Sequence, residues 1–570
     1  MEPRHRANRG LIGRVSMDLR SWKRATGWFA SGVLVAGLLA SAAGASATTA
    51  PQAAKVLHAR VSKAVAFDVS PTLRALSRRA ASHPKAHRLP PERGPAVADR
   101  GFSGDGAVQS SAPAAPQIGS TIANFEGLSN ADNPFEVAPP DPNGEVGPNH
   151  FVEMVNIVLA VYSKTGTRLL GPMLLGDLWQ GFAIDDCTDL SGDPVVVYDQ
   201  LANRWILTQF TTRGPTFYNC VAVSQTGDPT GAYFRYAFST GVNFPDYPKY
   251  GVWPNAYFLS TREFAPDDSF AGDGAYALER REMIRGNPGA RMVKFLLPPG
   301  SARYLPGDGL LPSDLDGSTR PPDGSPNYFV GTMDDGAGRG APFDGINVFQ
   351  FSVTWSAHPT GSFSLDAQLP VAAFDSIFPC APTSRSCIPQ PKTGNTIDIL
   401  SYRQRPTFRL AYRNFGTYES LVTNQSVEAR PGIAGVRWYE IRRTGGAFSV
   451  FQQGTYAPDD GVNRWMGSVA MDKNGGIGLG YSVSNGDNVF PGIRYTGRLA
   501  DDTAGEMTLG EGVLIDGSGS QKVSARWGDY TDMTVDPTDE CTFWYVNEYY
   551  AQSSQRGWQT RIGSFRLPGC

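Results

Sequence analysis

The sequence predicts an all-β fold, a β-propeller of about seven blades, from three observations: strand-like runs, turn residues between them, and a recurring unit. From about Phe125 to the end of the chain, short runs rich in Val, Tyr, Phe and Thr alternate with clusters of Gly, Pro, Asn and Asp. Such runs are typical of strands joined by turns. Because no amphipathic helix of more than three turns interrupts the pattern, this part of the chain is predicted to be built from strands.

The recurring unit decides between the all-β folds. It consists of a short apolar strand, a turn at Asp, Asn or Pro, and an aromatic strand. The seven units are residues 147–156, 192–210, 250–261, 325–334, 404–414, 465–482 and 527–549. Their spacing of about 65 residues exceeds the ~40–50 of a usual blade, so long loops are expected. Six blades are the alternative if the first unit completes the last, and two tandem β-sandwiches are the structural alternative.

The N-terminal residues carry the pattern of an export signal. A basic stretch ends at Lys23 and Arg24 and is followed by an apolar run over residues 25–44, and then by small residues up to Ala47. This order predicts a cleaved signal peptide over residues 1–47, and therefore a secreted or cell-surface protein. The alternative is an uncleaved membrane anchor, since about 20 apolar residues can span a bilayer.

A change in composition places the start of the folded domain near residue 119. Residues 48–118 are rich in Ala, Pro, Ser and Arg and almost lack aromatic residues. They are predicted to be a disordered linker or pro-segment, within which residues 59–80 could form a basic helix. The propeller domain is then predicted over residues 119–570.

The distribution of charge excludes one class of partner. Of the 51 basic and 54 acidic residues, 17 and 5 lie within residues 1–100, so the remainder carries 34 and 49, a net charge of −15. An acidic domain is a poor partner for nucleic acid, which requires a basic surface. A glycan, a cell-wall component or a protein remains as the predicted ligand.

The cysteines predict disulfide bonds. An even number of cysteines in an exported chain is typical of a disulfide framework, and sequential pairing is the simplest of the 15 possible connectivities. Zinc-type C-x2-C spacing does not occur, and the domain contains two histidines, His150 and His358, too few for a multi-histidine metal centre. The six cysteines are Cys187, Cys220, Cys380, Cys387, Cys541 and Cys570.

Candidate ligand-binding residues lie where the repeats begin, because inner strands and their loops converge at the funnel of a propeller. A ring of arginines there would bind carboxylates through paired hydrogen bonds, and a neighbouring carboxylate and phenol suit acid–base or nucleophilic chemistry on a sugar. The alternative is structural, since Arg-Trp pairs stack and Asp after Gly closes turns. The candidates are Arg405, Arg464, Arg526, Asp193, Asp529 and Tyr530.

Two oxygen-rich segments are candidates for a structural calcium ion. Asp141, Asn143 and Glu145 alternate in a turn-rich segment and could offer oxygen ligands, although a plain loop entering the first strand is the alternative. Asp314 and Asp316 resemble part of a calcium loop that lacks the distal bidentate glutamate. No other cofactor is predicted.

Three stretches, DPNGEVGPNHFVEMVN, SGDPVVVYDQLANRWILTQF and ARWGDYTDMTVDPTDECTFWYVNEY, resemble a family of uncharacterised exported bacterial proteins with a propeller-like domain. The resemblance covers residues 120–570 and implies the fold but no activity. More loosely, the domain is similar to sialidase-type propellers, which use an arginine triad and a tyrosine nucleophile. That similarity implies Arg405, Arg464 and Arg526 as the triad and Tyr530 as the nucleophile, but the F-R-I-P segment and the S-x-D-x-G-x-T-W repeats of sialidases do not occur.

Three functional hypotheses fit these patterns. The first is a ligand-binding or surface-interaction module, because no complete catalytic set is visible in the sequence. The second is a sialidase-like glycoside hydrolase or lyase with its site at the propeller funnel, which requires the candidate residues to converge. The third is a purely structural role in the cell envelope.

Overall fold

The computed structural model describes residues 57–78, 101–113, 118–299, 309–338, 340–378, 380, 386–399 and 405–570. The predicted signal peptide lies outside these residues, as does much of the predicted linker. Among the described residues, no helix is both long and apolar enough to cross a membrane.

Four strands and a short helix precede the first four-stranded sheet of the ring. They are β1 (Arg60–Lys63), β2 (Ala66–Val69), α1 (Leu73–Leu76), β3 (Val108–Gln109) and β4 (Ala123–Ser129).

Strands continue through the following residues in antiparallel meanders of four, each beginning with the strand that lies nearest the axis. The first meander is β5 (Asn143–Val146), β6 (His150–Val155), β7 (Val158–Ser163) and β8 (Arg168–Leu174); the second is β9 (Val195–Asp199), β10 (Arg204–Phe210), β11 (Phe217–Ser224) and β12 (Tyr233–Gly241). The third is β13 (Phe244–Val252), β14 (Tyr257–Phe264), β15 (Phe270–Leu278) and, after α2 (Arg280–Ile284), β16 (Arg291–Leu297); the fourth is β17 (Leu311–Leu315), β18 (Asn327–Met333), β19 (Gly345–Thr354) and β20 (Thr360–Pro370).

An inserted hairpin, β21 (Ser386–Ile388) and β22 (Ile397–Asp398), separates the fourth meander from the fifth. The fifth is β23 (Thr407–Asn414), β24 (Glu419–Arg430), β25 (Ile433–Thr444) and β26 (Ala447–Tyr456); the sixth is β27 (Asn463–Met471), β28 (Ile477–Ser484), β29 (Phe490–Arg498) and β30 (Leu509–Gly517). The last strands are β31 (Asp532–Val535), β32 (Thr542–Tyr549) and β33 (Gln559–Arg566). Single 3-10 turns lie at Asn130–Asp132, Leu175–Trp179 and Asp185–Thr188.

The meanders close into a ring. Their first strands are neighbours in the order β5, β9, β13, β17, β23, β27 and β31, and β31 in turn lies beside β5. Since β31–β33 supply only three strands, the ring is completed by β4, which pairs antiparallel with β33. Each of the seven sequence repeats falls in a different meander. The predicted all-β propeller fold is confirmed, and a closed ring rules out two tandem β-sandwiches.

Aromatic side chains fill the space between neighbouring sheets. Phe151 of β6 stacks on Trp544 of β32 at 5.4 Å between ring centroids, and Tyr495 of β29 stacks on Phe565 of β33 at 4.3 Å. Gly480 of β28 gives the sheets room to approach, because a Cβ there would overlap the ring of Tyr545. Aromatic residues inside the repeats, such as Phe151 and Trp544, and outside them, such as Tyr495 and Phe565, therefore pack one sheet against the next.

The structure corrects the prediction for part of the linker. β1 pairs with β16 and β2 pairs with β12, so residues 57–78 add a fifth strand to the third and second sheets instead of being disordered. The predicted basic helix over residues 59–80 is reduced to α1. The physical reason is that β16 and β12 are sheet edges, whose free N–H and C=O groups accept an added strand of almost any sequence. β3 likewise lies parallel to β26.

All six cysteines are paired in sequence order, which confirms the prediction of disulfides. Cys187 bonds to Cys220, Cys380 to Cys387, and Cys541 to Cys570. The last bridge joins the residue before β32 to the residues after β33, and so ties the closing sheet together next to β4. Covalent loops of this size stabilise a fold mainly by restricting the unfolded chain.

A buried glutamate at the ring closure predicts that the stability of the protein depends on pH. Glu153 of β6 accepts hydrogen bonds from the Leu128 backbone N–H of β4 at 2.8 Å and from the hydroxyls of Tyr162 and Thr560. Burial raises the pKa of Glu153 from 4.5 to about 7, in spite of these donors. The folded protein therefore binds a proton more tightly than the unfolded chain, and stability that is present below pH 4.5 is lost as the pH rises to about 7.

Glu153→Gln is expected to remove this pH dependence. Relative to the wild type, its free energy of unfolding should rise by about 3 kcal/mol between pH 4.5 and pH 7. Denaturant unfolding at several pH values measures the difference, and the exposed Glu136→Gln serves as a control that should stay within about 0.5 kcal/mol of the wild type. Parallel pH profiles for Glu153→Gln and the wild type would contradict the expectation.

Candidate functional site

Five non-glycine residues near the start of the inner strands have left-handed backbone conformations, and each belongs to a different meander. They are Asp141 (φ 48°), Asp193 (φ 45°), Tyr247 (φ 55°), Met466 (φ 51°) and Asp529 (φ 68°). Such a conformation is unfavourable for residues with a Cβ, especially for bulky ones such as Tyr and Met. Strain of this kind is concentrated at sites where the surrounding structure holds a functional geometry.

Charged and aromatic residues converge at these strand ends to form what we call the axial cluster. Five of the six residues proposed from the sequence lie in it, namely Asp193, Arg405, Arg526, Asp529 and Tyr530. The structure adds four residues, Asp141, Asp246, Tyr247 and Lys249. Asp193, Asp246 and Arg526 are partly exposed, and the other members are buried. The cluster is therefore a largely buried polar site whose accessible surface comes from three residues.

Arg526 and Asp529 form the ion pair at the exposed side of the cluster. Arg526 Nη2 lies 2.8 Å from Asp529 Oδ2, and Arg526 Nε lies 3.8 Å from Asp398 of the inserted hairpin. The Asp529 main chain is also held, because its carbonyl accepts a hydrogen bond from the Tyr247 hydroxyl at 3.0 Å. The Arg526 guanidinium thus links the Asp529 carboxyl to the inserted hairpin.

The carboxyl groups of Asp193 and Asp141 are in a different electrostatic environment from that of Asp529. Burial and the nearby Asp246 raise the pKa of Asp193 to about 7, against the opposing effect of Lys249. Burial also raises the pKa of Asp141 well above its usual range, and the charges of Asp529 and Asp193 add to the effect. One carboxylate oxygen of Asp141 is buried with no hydrogen-bond partner among the described residues. The cluster therefore combines an aspartate that is paired with an arginine and two aspartates whose pKa is raised by burial.

Aromatic rings surround the cations of the cluster. Lys249 Nζ lies 3.6 Å from the ring centroids of both Tyr247 and Tyr530, and the Arg405 guanidinium lies 3.7 Å from the Tyr247 centroid. Tyr530 donates its hydroxyl hydrogen bond to the Pro194 carbonyl at 2.9 Å, so it is a buried structural contact. Burial raises the pKa of Tyr530 well above its usual range, which opposes the nucleophilic role that the sialidase resemblance implies.

A second buried layer of polar side chains contains four of the five residues that were predicted to bind calcium. Arg409 of β23 lies 2.9 Å from Asp314 and also binds Asp316, so an arginine balances the charge of these two carboxylates. Asn143 donates to Asp532 at 2.8 Å, and Glu145 accepts from its own neighbour's backbone N–H at 3.0 Å.

The segment that contains Asp141, Asn143 and Glu145 leads into β5. Asn143 and Glu145 lie on the strand itself, and Asp141 precedes it. Asn143 and Glu145 both lie in the second buried layer, near Asp532, whereas Asp141 lies in the axial cluster. Calcium binding at this segment stays a prediction.

Arg464 lies apart from the axial cluster. Although its N-R-W context matches the A-R-W of Arg526, its guanidinium binds Glu511 of β30 and Asp460, each at 2.7 Å. It is fully buried in these contacts. We therefore regard Arg464 as a structural residue of the sixth sheet.

One group of acids among the described residues could hold a metal ion. Asp334, Asp335 and Asp344 place one carboxylate oxygen each within 4.8 Å of one another. The oxygens of Asp334 already accept hydrogen bonds from Ser376 and from two backbone N–H groups, and those of Asp344 accept two backbone N–H groups. These hydrogen bonds hold a loop in its folded conformation, and they are sufficient to explain why the three carboxyl groups lie close together.

Sequence reasoning missed Tyr247, Lys249 and Asp246, which lie together in the segment FPDYPKYG of β13. The two prolines and the glycine make this segment look like a turn, although it is an inner strand with a register shift between Asp246 and Lys249. Its position at the start of the third repeat could have identified this segment, because Asp193 and Asp529 were selected at the corresponding position of their own repeats.

By its fold and site the chain is a β-propeller protein with a polar axial site. No protein-family profile and no curated protein matches it. Similar solved structures include the catalytic domain of a GH62 α-L-arabinofuranosidase from Coprinopsis cinerea (11% identity, 65% of this chain and 90% of that chain, TM-score 0.25). Others are an endo-arabinase from Bacteroides thetaiotaomicron (12%, 53% and 92%, TM-score 0.25) and a polysaccharide lyase (9%, 81% and 100%, TM-score 0.34). At these values the similarities carry no argument about activity, so the fold rests on the strand topology.

Proposed function

We propose that this protein acts outside the cytoplasm as a glycan-binding propeller and that the axial cluster is its binding site. The observation that carries the proposal is the convergence of aspartates, arginines and a lysine from several inner strands on one point, with Asp193, Asp246 and Arg526 partly exposed. Sugar hydroxyls both donate and accept hydrogen bonds, so they need carboxylate acceptors and guanidinium donors side by side. The three disulfides are in keeping with an oxidising compartment.

Thermal unfolding of the full chain against a panel of neutral and acidic glycans tests the proposal. A ligand that binds only the folded state should raise the unfolding midpoint, with about 2.7 kcal/mol of added stability at a hundredfold excess over its Kd. Asp529→Asn should lose the shift, because Arg526 would lose the carboxyl group with which it is paired, while the exposed Asp501→Asn should keep it. If no glycan moves the wild-type midpoint, the proposal is wrong.

Hydrolysis of a glycosidic bond is the second candidate function, and one observation favours it. Asp529 is paired with Arg526, whereas burial raises the pKa of Asp193 to about 7, so the cluster contains two carboxyl groups in different electrostatic environments. Glycosidases use such a pair, one group as the acid and the other as the base or nucleophile. Asp193→Asn should then abolish the release of reducing ends from a bound glycan while leaving binding in place. Binding of a glycan with no product from the wild type would leave the protein a binding module.

A further inference from the structure

The N-terminal segment of residues 57–78, which we call the strap, lies across the outer edges of two neighbouring sheets. Its β1 pairs with β16 of the third meander and its β2 pairs with β12 of the second, and two residues separate these strands. β1 is exposed at all four positions, so main-chain hydrogen bonds hold it in place. The second half of the strap is held by side-chain contacts as well, and these depend on its sequence.

Asp68 of β2 is bound by an arginine that the second meander orients. Arg235 Nε and Nη2 donate to the two carboxylate oxygens of Asp68 at 2.7 and 2.5 Å, a bidentate geometry that is specific for carboxylates. Arg235 Nη1 donates to the carbonyls of Leu178 and Gln180 at 2.8 and 3.1 Å. Since Arg235 is 2% exposed, an uncharged residue at position 68 would remove the carboxylate that balances a buried guanidinium.

Further contacts follow along the strap. Phe67 packs against a tyrosine ring of β12 at 5.0 Å between centroids. The Ser70 N–H donates to the Tyr233 carbonyl and the Ser70 hydroxyl accepts from the Tyr233 N–H, both at 2.9 Å. Leu73 and Leu76 of α1 are 0% and 2% exposed and pack in the core that the first and second sheets share. The run FDVSPTLRAL, which contains these strap residues, is called the docking motif below.

We propose that the outer edges of β12 and β16 form a peptide-binding site whose ligand is the strap, and that the docking motif makes this binding selective. A bidentate carboxylate contact, a paired serine and two buried leucines supplement the main-chain pairing of a strand added to a sheet edge. Retention of the strap then requires no covalent connection to the rest of the chain. If the chain is cut between the strap and β3, the part predicted as a pro-segment remains bound as a separate peptide. The site lies on outermost strands and is independent of glycan binding at the axial cluster.

The first test uses the full chain with a protease site introduced within residues 79–100. After cutting, size-exclusion chromatography separates any released strap from the propeller. The wild-type strap is expected to co-elute with the propeller, whereas Asp68→Asn should lose most of it, because Arg235 loses its bidentate partner. Val69→Thr changes the exposed neighbour and is the control that should keep the strap. Release of the wild-type strap, or equal retention of the wild-type and Asp68→Asn straps, would overturn the proposal.

The second test measures binding in trans to the cut Asp68→Asn protein from which the strap has been removed. A labelled synthetic peptide of residues 57–78 should bind it, and the same peptide with Asp68→Asn should bind about tenfold more weakly, because charge-assisted hydrogen bonds are lost. Fluorescence anisotropy measures both affinities, and circular dichroism reports whether the stripped propeller is folded. Equal affinities of the two peptides would contradict the proposed selectivity. Unfolding of the stripped propeller would also overturn the proposal, because the strap would then be an integral part of the fold.

Discussion

Replacing Arg409 with methionine is expected to lower the free energy of unfolding by about 3–5 kcal/mol, because it leaves buried carboxylates without their cation. Arg409 is 1% exposed, and its guanidinium binds Asp314 and Asp316 below the axial cluster. Even beside this arginine, burial raises the pKa of Asp314 to about 6. Without Arg409, one or both carboxyls must take up a proton or water must enter the axis.

Denaturant unfolding at pH 7 measures this loss of stability, and two further variants test its cause. The exposed Arg320→Met should stay within about 0.5 kcal/mol of the wild type, since it removes an arginine from the surface. Adding Asp314→Asn and Asp316→Asn to Arg409→Met should recover part of the stability, because the neutral amides no longer require a cation. Equal stability of Arg409→Met and Arg320→Met would show that the buried layer does not hold the inner strands together.

Leu128→Ala is expected to destabilise the protein by about 2–5 kcal/mol, because it creates a cavity where the ring closes. Leu128 is fully buried on β4, among residues of the first, sixth and seventh meanders. Its backbone also takes part in the closure, since its N–H donates to Glu153 and its carbonyl accepts from the Thr560 hydroxyl.

The matched control for this prediction lies just before the same strand. Ile122 is 63% exposed, so Ile122→Ala should change the free energy of unfolding by less than about 0.5 kcal/mol. A cost for Leu128→Ala no larger than that of Ile122→Ala would contradict the assignment of β4 as the strand that completes the ring.

The sequence predicted the ring but not all of the strands attached to it. The repeats were visible because each inner and second strand is buried on both faces and so reads as an apolar or aromatic run, as at Val195–Asp199. β1, Arg60–Lys63, is exposed at every position and therefore has no such pattern. Its pairing is determined by the free edge of β16, which is remote in sequence, and local propensity could not reveal it.

The sequence predicted those residues of the candidate site whose place follows from their position in a repeat. It did not predict residues whose place depends on the direction of the side chain. Asp193, Arg526 and Asp529 were found because they precede inner strands. Arg464 was selected because its local sequence is like that of Arg526, whereas its partner Glu511 lies in a different strand of the same sheet. Lys249 was missed because a buried lysine between tyrosine rings depends on Tyr530, which is far away in the chain.

The binding role of the axial cluster is tested most directly by calorimetric titration of the glycan that most raises the unfolding midpoint. The wild type is compared with Arg526→Ala, which removes the partly exposed guanidinium paired with Asp529, and with the exposed Asp501→Ala as control. If the cluster is the site, Arg526→Ala should weaken binding by about tenfold or more, the value of one charge-assisted hydrogen bond, and Asp501→Ala should not. Equal affinities for Arg526→Ala and the wild type would place the ligand elsewhere and contradict the proposed site.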